Sequence, residues 1–222
     1  MAVKEEVIHV YFMPGMAANT SIFEYIKLPE DKYRLHYLDW IIPNDDETLS
    51  DYVLRLLENV KHKTPILIGV SFGGIIVQEM SKVIAVRKLV IISSVKTKHE
   101  LPAGMKFAKN TGLYKILPTS LAKHIDKLEQ LPVGKTTQKK AKLYKRYLSV
   151  DDKKYLDWSI AQVVLWNQEK EIPGIIHIHG DKDAVFPIKN IENCITLKNG
   201  THAMIIYKYR WFNRNLPLIL AS

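Results

Sequence analysis

Ser71 sits in Gly69-Val70-Ser71-Phe72-Gly73, with a glycine two residues away on either side. A serine hydroxyl at that spacing can be lifted above a sheet on a sharp strand-to-helix turn, where it is exposed to attack a carbonyl. The flanking glycines remove side chains that would crowd a nucleophile held in strained backbone. The flanks agree. Ile66 to Ile68 is a short apolar run that reads as a buried strand, and Ile75 to Met80 carries Gln78 and Glu79 on one side and reads as a helix. The first N–H groups of such a helix, at its positive dipole end, face the serine where an oxyanion would form. A Gly-rich turn without chemistry would show the same five residues; the strand-turn-helix context argues for chemistry. A phosphate loop is the less favoured reading of this turn, because no Gly-Lys-Ser/Thr ending follows it. His177 and His179 alternate on a predicted strand without cysteine or carboxylate at ligand spacing. They read as packing and hydrogen-bonding residues, and neither a metal nor a cofactor is expected.

The elements that must position Ser71 alternate. Val7 to Met13 reads as a strand ended by Pro14-Gly15, and Tyr33 to Asp39 as a second strand. A helix is expected from Thr48 or Ser50 to about Lys61, with Leu49, Tyr52, Val53, Leu56, Leu57 and Val60 at helical spacing. Arg87 to Ser94 is another buried strand. Strand-helix alternation of this kind predicts an α/β fold with a parallel sheet covered on both faces. From Lys96 to Glu171 the pattern is helical, with breaks at Pro102, Pro118 and Pro132. Gly174 to Gly180 and Cys194 to Leu197 restore the sheet, and Met204 to Leu220 reads as the last helix.

A chain of 222 residues can bury a sizeable core, as one domain with room for an inserted subdomain. Cys194 is the single cysteine, which excludes an internal disulfide framework and suits a reducing compartment. No signal-peptide apolar region and no membrane-length run is present, so a cytoplasmic protein is expected. The net charge of +9 is local: residues 106–155 hold thirteen Lys/Arg against four Asp/Glu.

Three motifs in the order Ser…Asp…His, each after a predicted strand, resemble the α/β-hydrolase superfamily nearly end to end. They are Gly69 to Gly73, His179-Gly180-Asp181-Lys182-Asp183-Ala184-Val185-Phe186-Pro187, and Asn199-Gly200-Thr201-His202-Ala203-Met204. The resemblance is to a capped, serine esterase-like member. It implies Ser71 as nucleophile, His202 as base, and an acid that holds the imidazole. Asp183 matches the family position of that acid; Asp181 stays open as the alternative. The resemblance also implies an oxyanion hole from the backbone N–H groups of Phe72 and Met16. Here Pro14-Gly15-Met16 stands where many relatives have His-Gly followed by an apolar residue, which touches loop geometry and subfamily. The chain starts at the strand before this loop, as expected of a compact member without the leading hairpin.

The same resemblance makes residues 1–95 and 172–222 the core and residues 96–171 an inserted helical cap. Met105, Phe107, Leu113, Tyr114, Leu117, Leu121, Leu143, Tyr147, Trp158 and Trp166 are candidates to line a pocket beneath it. The basic stretch reads first as a solvated surface. Next come a docking face for an acidic acyl carrier protein or CoA thioester, and then nucleic acid, for which no recognition motif exists. The expected activity is hydrolysis of a carboxylic ester or thioester through an acyl-enzyme. The alternatives are a carbon–carbon bond hydrolase or lyase using the same three residues, and a non-catalytic protein whose basic cap binds an acidic partner.

Overall fold

The computed structural model describes residues 7–113 and 146–222. Its centre is a sheet of β1 (Ile8–Met13), β2 (Tyr33–Tyr37), β3 (Ile66–Val70), β4 (Lys88–Ile92), β5 (Ile176–Gly180) and β6 (Ile195–Leu197). The order is β2-β1-β3-β4-β5-β6 and every neighbouring pair is parallel, as the alternation predicted. The chain goes from β1 outward to β2, then returns to β3 on the other side of β1. Beyond the carboxyl ends of β1 and β3 the loops therefore part, and a crevice opens where α/β sheets bind ligands.

Strand alternation divides the core into two layers. Val10 and Phe12, Ile66, Ile68 and Val70, Val90 and Ile92, and Ile178 face one layer. Tyr11 and Met13, Leu67, Leu89 and Ile91 face the other. The first layer is closed by α5 (Met204–Tyr207), α6 (Tyr209–Ala221) and the turn Thr20–Phe23. The second is closed by α1 (Leu49–Leu57) and α2 (Phe72–Val83).

Boundaries differ from the sequence reading for local reasons. Helix α1 is capped by the Thr48 side chain, which accepts from Asp51 N–H, and it stops at Leu57. Past that point Glu58, Asn59 and Val60 donate to carbonyls three residues back, tightening the chain out of α-geometry. Helix α2 is longer than its apolar run because it begins on Phe72, directly after the turn. The last helix is broken at Lys208, whose φ of −108° separates α5 from α6.

In the stretch expected to be helical, α3 (Ala103–Thr111) follows Pro102 and α4 (Lys153–Leu165) follows Asp152, whose carboxylate caps Tyr155 N–H. Pro118, Pro132, Tyr114, Leu117, Leu121 and Leu143 lie outside the described residues. Helix α4 packs on α3 and α2. Residues 147–150 are tied to the loop after β1, with Asn19 N–H donating to Tyr147 O and Val150 N–H to Ala17 O. Most of the basic stretch also lies outside the described residues. Within its described part, Arg146, Lys153 and Lys154 pair with Glu24, Asp157 and Asp45 of the same chain. Among the described residues no helix is long and apolar enough to cross a membrane.

Candidate active site

Strand β3 ends at Val70, and Ser71 turns the chain into α2 with φ 53° and ψ −122°. A left-handed φ in a non-glycine residue is strain, and the surroundings must hold it. They do so through close packing and hydrogen bonds. A Cβ on Gly69 would fall 2.2 Å from Gly73 O, and one on Gly73 would fall 2.3 Å from Pro14 O. Only glycine lets the strand end, the helix start and the β1 loop meet here. Ser71 N–H donates to Ile92 O, while Ser71 O accepts from Gly74 N–H and from the Ser94 hydroxyl at 2.7 Å. Ser94, at the end of the next strand, thus clamps the turn.

Asp183 and His202 come from the loops after β5 and β6. Those loops touch because a Cβ on Gly180 would lie 2.3 Å from Gly200 O; Lys182 N–H also donates to Gly200 O at 2.8 Å. The result is a hydrogen-bonded chain. Asp183 Oδ2 lies 2.9 Å from His202 Nδ1, and His202 Nε2 lies 2.9 Å from Ser71 Oγ. An ionised carboxylate only accepts, so Nδ1 carries the proton and Nε2 is left to accept from the serine hydroxyl. It is Asp183, not Asp181, whose carboxylate reaches the imidazole.

The Asp183 carboxylate is buried and its second oxygen accepts from Val185 N–H at 2.8 Å and Phe186 N–H at 2.9 Å. Burial works to raise this carboxyl. The hydrogen bond and charge of His202, helped by Phe186 N–H and His179, outweigh it and hold the group below the usual carboxylate range. Behind it, His179 Nε2–H donates to Phe186 O, and His177 Nε2–H donates to His179 Nδ1. Burial keeps both of these imidazoles below their ordinary pKa, so they stand as neutral hydrogen-bonding residues beneath the acid loop.

Phe72 opens α2, so its N–H has no carbonyl one turn earlier to bond. Its ring stacks on Trp40, with centroids 5.2 Å apart, and Trp40 Nε1–H donates to Gly15 O at 3.0 Å. That indole fixes the loop carrying Met16 against the elbow. The crevice above Ser71 is a cavity of about 480 Å³ lined by Met16 and by apolar side chains including Ile22, Tyr147, Val185, Ile205 and Ile206. Of the aromatic and apolar candidates at described positions, Tyr147 lines it. Met105, Trp158 and Trp166 pack into the core, and Phe107 and Leu113 are exposed. Ser94, Trp40 and the Gly180–Gly200 contact carry no motif in the sequence, because each acts through a neighbour distant along the chain.

No family model matches the chain, and no curated protein matches it in sequence. Solved structures do. A thermophilic esterase from Thermogutta terrifontis superposes with a TM-score of 0.67 at 11% identity, over 98% of this chain and 91% of that one. A bromoperoxidase from Bacillus anthracis gives 0.63 at 17%, over 98% and 93%. An alpha/beta hydrolase fold protein from Burkholderia ambifaria gives 0.56 at 12%, over 96% and 90%. At such identities the likeness is one of fold, and the fold of this chain is that of the α/β-hydrolases.

Proposed function

We propose that this protein is a serine hydrolase that cleaves a carboxylic ester or thioester through an acyl-enzyme. The observation that carries the reading is the unbroken hydrogen-bonded line from Asp183 through His202 to Ser71, at 2.9 Å per link, opening onto an apolar cavity. Ser71 Oγ attacks the carbonyl carbon while His202 Nε2 takes its proton. Asp183 holds the tautomer and stabilises the imidazolium. The backbone N–H groups of Phe72 and Met16 receive the oxyanion, at the positive end of α2. His202 then protonates the leaving group, and water, activated in the same way, releases the acid. No metal or cofactor takes part in any step.

That one of the structures sharing this fold is an esterase supports the reading. The apolar lining favours a substrate with a hydrocarbon acyl group, and its volume is within the range of small-molecule sites, about 300–1,000 Å³. Residues 96–171 are assigned the role of a cap, since Tyr147 and Leu148 form part of the cavity wall.

A p-nitrophenyl ester series from acetate to dodecanoate tests the reading, together with fluorophosphonate labelling. Turnover with a chain-length optimum is expected, falling about 10⁴-fold or more in Ser71→Ala, with the label lost from that variant. Turnover that survives the substitution would overturn the mechanism.

A further inference from the structure

Far from Ser71, on the α1 face of the sheet, three histidines meet. His9 lies on β1, His36 on β2, and His62 in the segment between α1 and β3. The β1–β2 register pairs Tyr11 with His36, so His9, Tyr11 and His36 project from one face. His62 closes over them. Its ring stacks on His9 with centroids 3.4 Å apart and planes 9° from parallel. His9 Nδ1 lies 2.9 Å from His36 Nε2. The cluster sits level with the start of β3, whereas Ser71 follows that strand's end.

One ring nitrogen from each of the three imidazoles lies within 4.8 Å of the others, and all three residues are half-buried. Imidazolium rings at these separations would repel one another. A neutral imidazole carries one ring lone pair that a metal can take, and three such rings are gathered here. Ligands around a tetrahedral zinc at about 2.0–2.1 Å stand about 3.3 Å apart, so shifts of about 1 Å together with rotation of the stacked His9 and His62 rings gather this set. The arrangement also contains the outer partner that metal-binding histidines use. Tyr11 Oη lies 2.6 Å from His62 Nδ1 and is itself held by Lys61 N–H at 3.0 Å. It fixes one nitrogen of that ring and leaves the other for a metal.

We propose that His9, His36 and His62 form a binding site for a divalent transition-metal ion of borderline softness, with Zn²⁺ the best match. Three neutral imidazoles select such ions over Mg²⁺ and Ca²⁺, which take oxygen ligands. Water fills the fourth position. The ion does not enter the ester chemistry. It fastens edge strand β2 to β1 and to the segment leading into β3.

The test is titration of the untagged, chelator-treated full-length protein with Zn²⁺ by calorimetry. One equivalent should bind, and at hundredfold excess over Kd the Tm should rise by about 5–10 °C. His36→Gln and His62→Gln should each lose affinity by more than the roughly 10–100-fold expected of Tyr11→Phe. Mg²⁺ should produce neither heat nor shift. A readout that needs no variant is Co²⁺ loading of the wild type, which should give the intense visible bands of a four- or five-coordinate nitrogen-rich site. The proposal is overturned if no stoichiometric binding occurs, if either histidine variant keeps the equivalent at wild-type affinity, or if the Co²⁺ spectrum is that of the six-coordinate aqua ion.

Discussion

Asp183 is the residue on which the site's electrostatics turn. Its two oxygens divide the work: one accepts from His202 and the other from two backbone N–H groups. An isosteric amide leaves the shape and removes the charge. Asp183→Asn should lower kcat/KM by about 10⁴-fold while Ser71 remains in place, because the imidazole loses both its tautomer and its counter-charge. The same carboxyl gives a signature in stability. Its folded pKa is depressed, so it binds fewer protons when folded than when unfolded near that range. The stabilisation is present above the ordinary value of about 3.9 and is lost as pH falls through the lower folded value. In urea titrations, the stability gap between wild type and Asp183→Asn should therefore close as pH is taken below about 4. A gap unchanged at acidic pH would show that the carboxylate is not held in its ionised form by the fold.

Elements meet here through backbone contacts that side chains would forbid. The loops after β5 and β6 bring Asp183 and His202 together by passing Gly180 against Gly200 at a separation no Cβ tolerates. Gly180→Ala should thus destabilise the protein by about 1–3 kcal/mol and lower turnover besides, since the clash falls between the two loops that carry the acid and base. Equilibrium urea unfolding beside ester kinetics measures both, and normal values for each would refute the contact. This contact shows where sequence reading ends. Ile66 to Ile68 and Arg87 to Ser94 are apolar enough to read as buried strands by themselves, and Gly69 and Gly73 announce their turn. Helix ends were less legible, because α1 closes on tight bonds at Glu58 to Val60 and α6 is severed at Lys208 by backbone geometry that no residue type signals. His9, His36 and His62 fall outside any ligand spacing; only the β1–β2 register and the path of the chain after α1 bring them together. Trp158 and Trp166, suited by type to a pocket, face the core instead.

At the scale of the whole molecule, the parallel sheet sets how the chain must be made. Each strand pair requires a crossover, and the bond between His202 and Ser71 spans 131 residues of sequence. Non-local pairing of this kind is slow, because loop-closure entropy precedes the contacts that offset it. Ser71, by contrast, lies within the local unit of β3 and α2, next to the Trp40 that stacks on Phe72. Nucleophile and reporter indole can therefore find their surroundings while β5 and β6 are still undocked. During refolding from urea of a variant that keeps Trp40 but carries Trp158→Phe, Trp166→Phe and Trp211→Phe, recovery of tryptophan fluorescence should run ahead of the return of ester turnover, with a lag at the activity trace that protein concentration does not alter. Coincident traces would mean that the sheet closes in one event. A newly made chain would accordingly pass through a stage in which its serine is already raised on its turn and yet chemically idle, its reactivity deferred until the last two strands arrive.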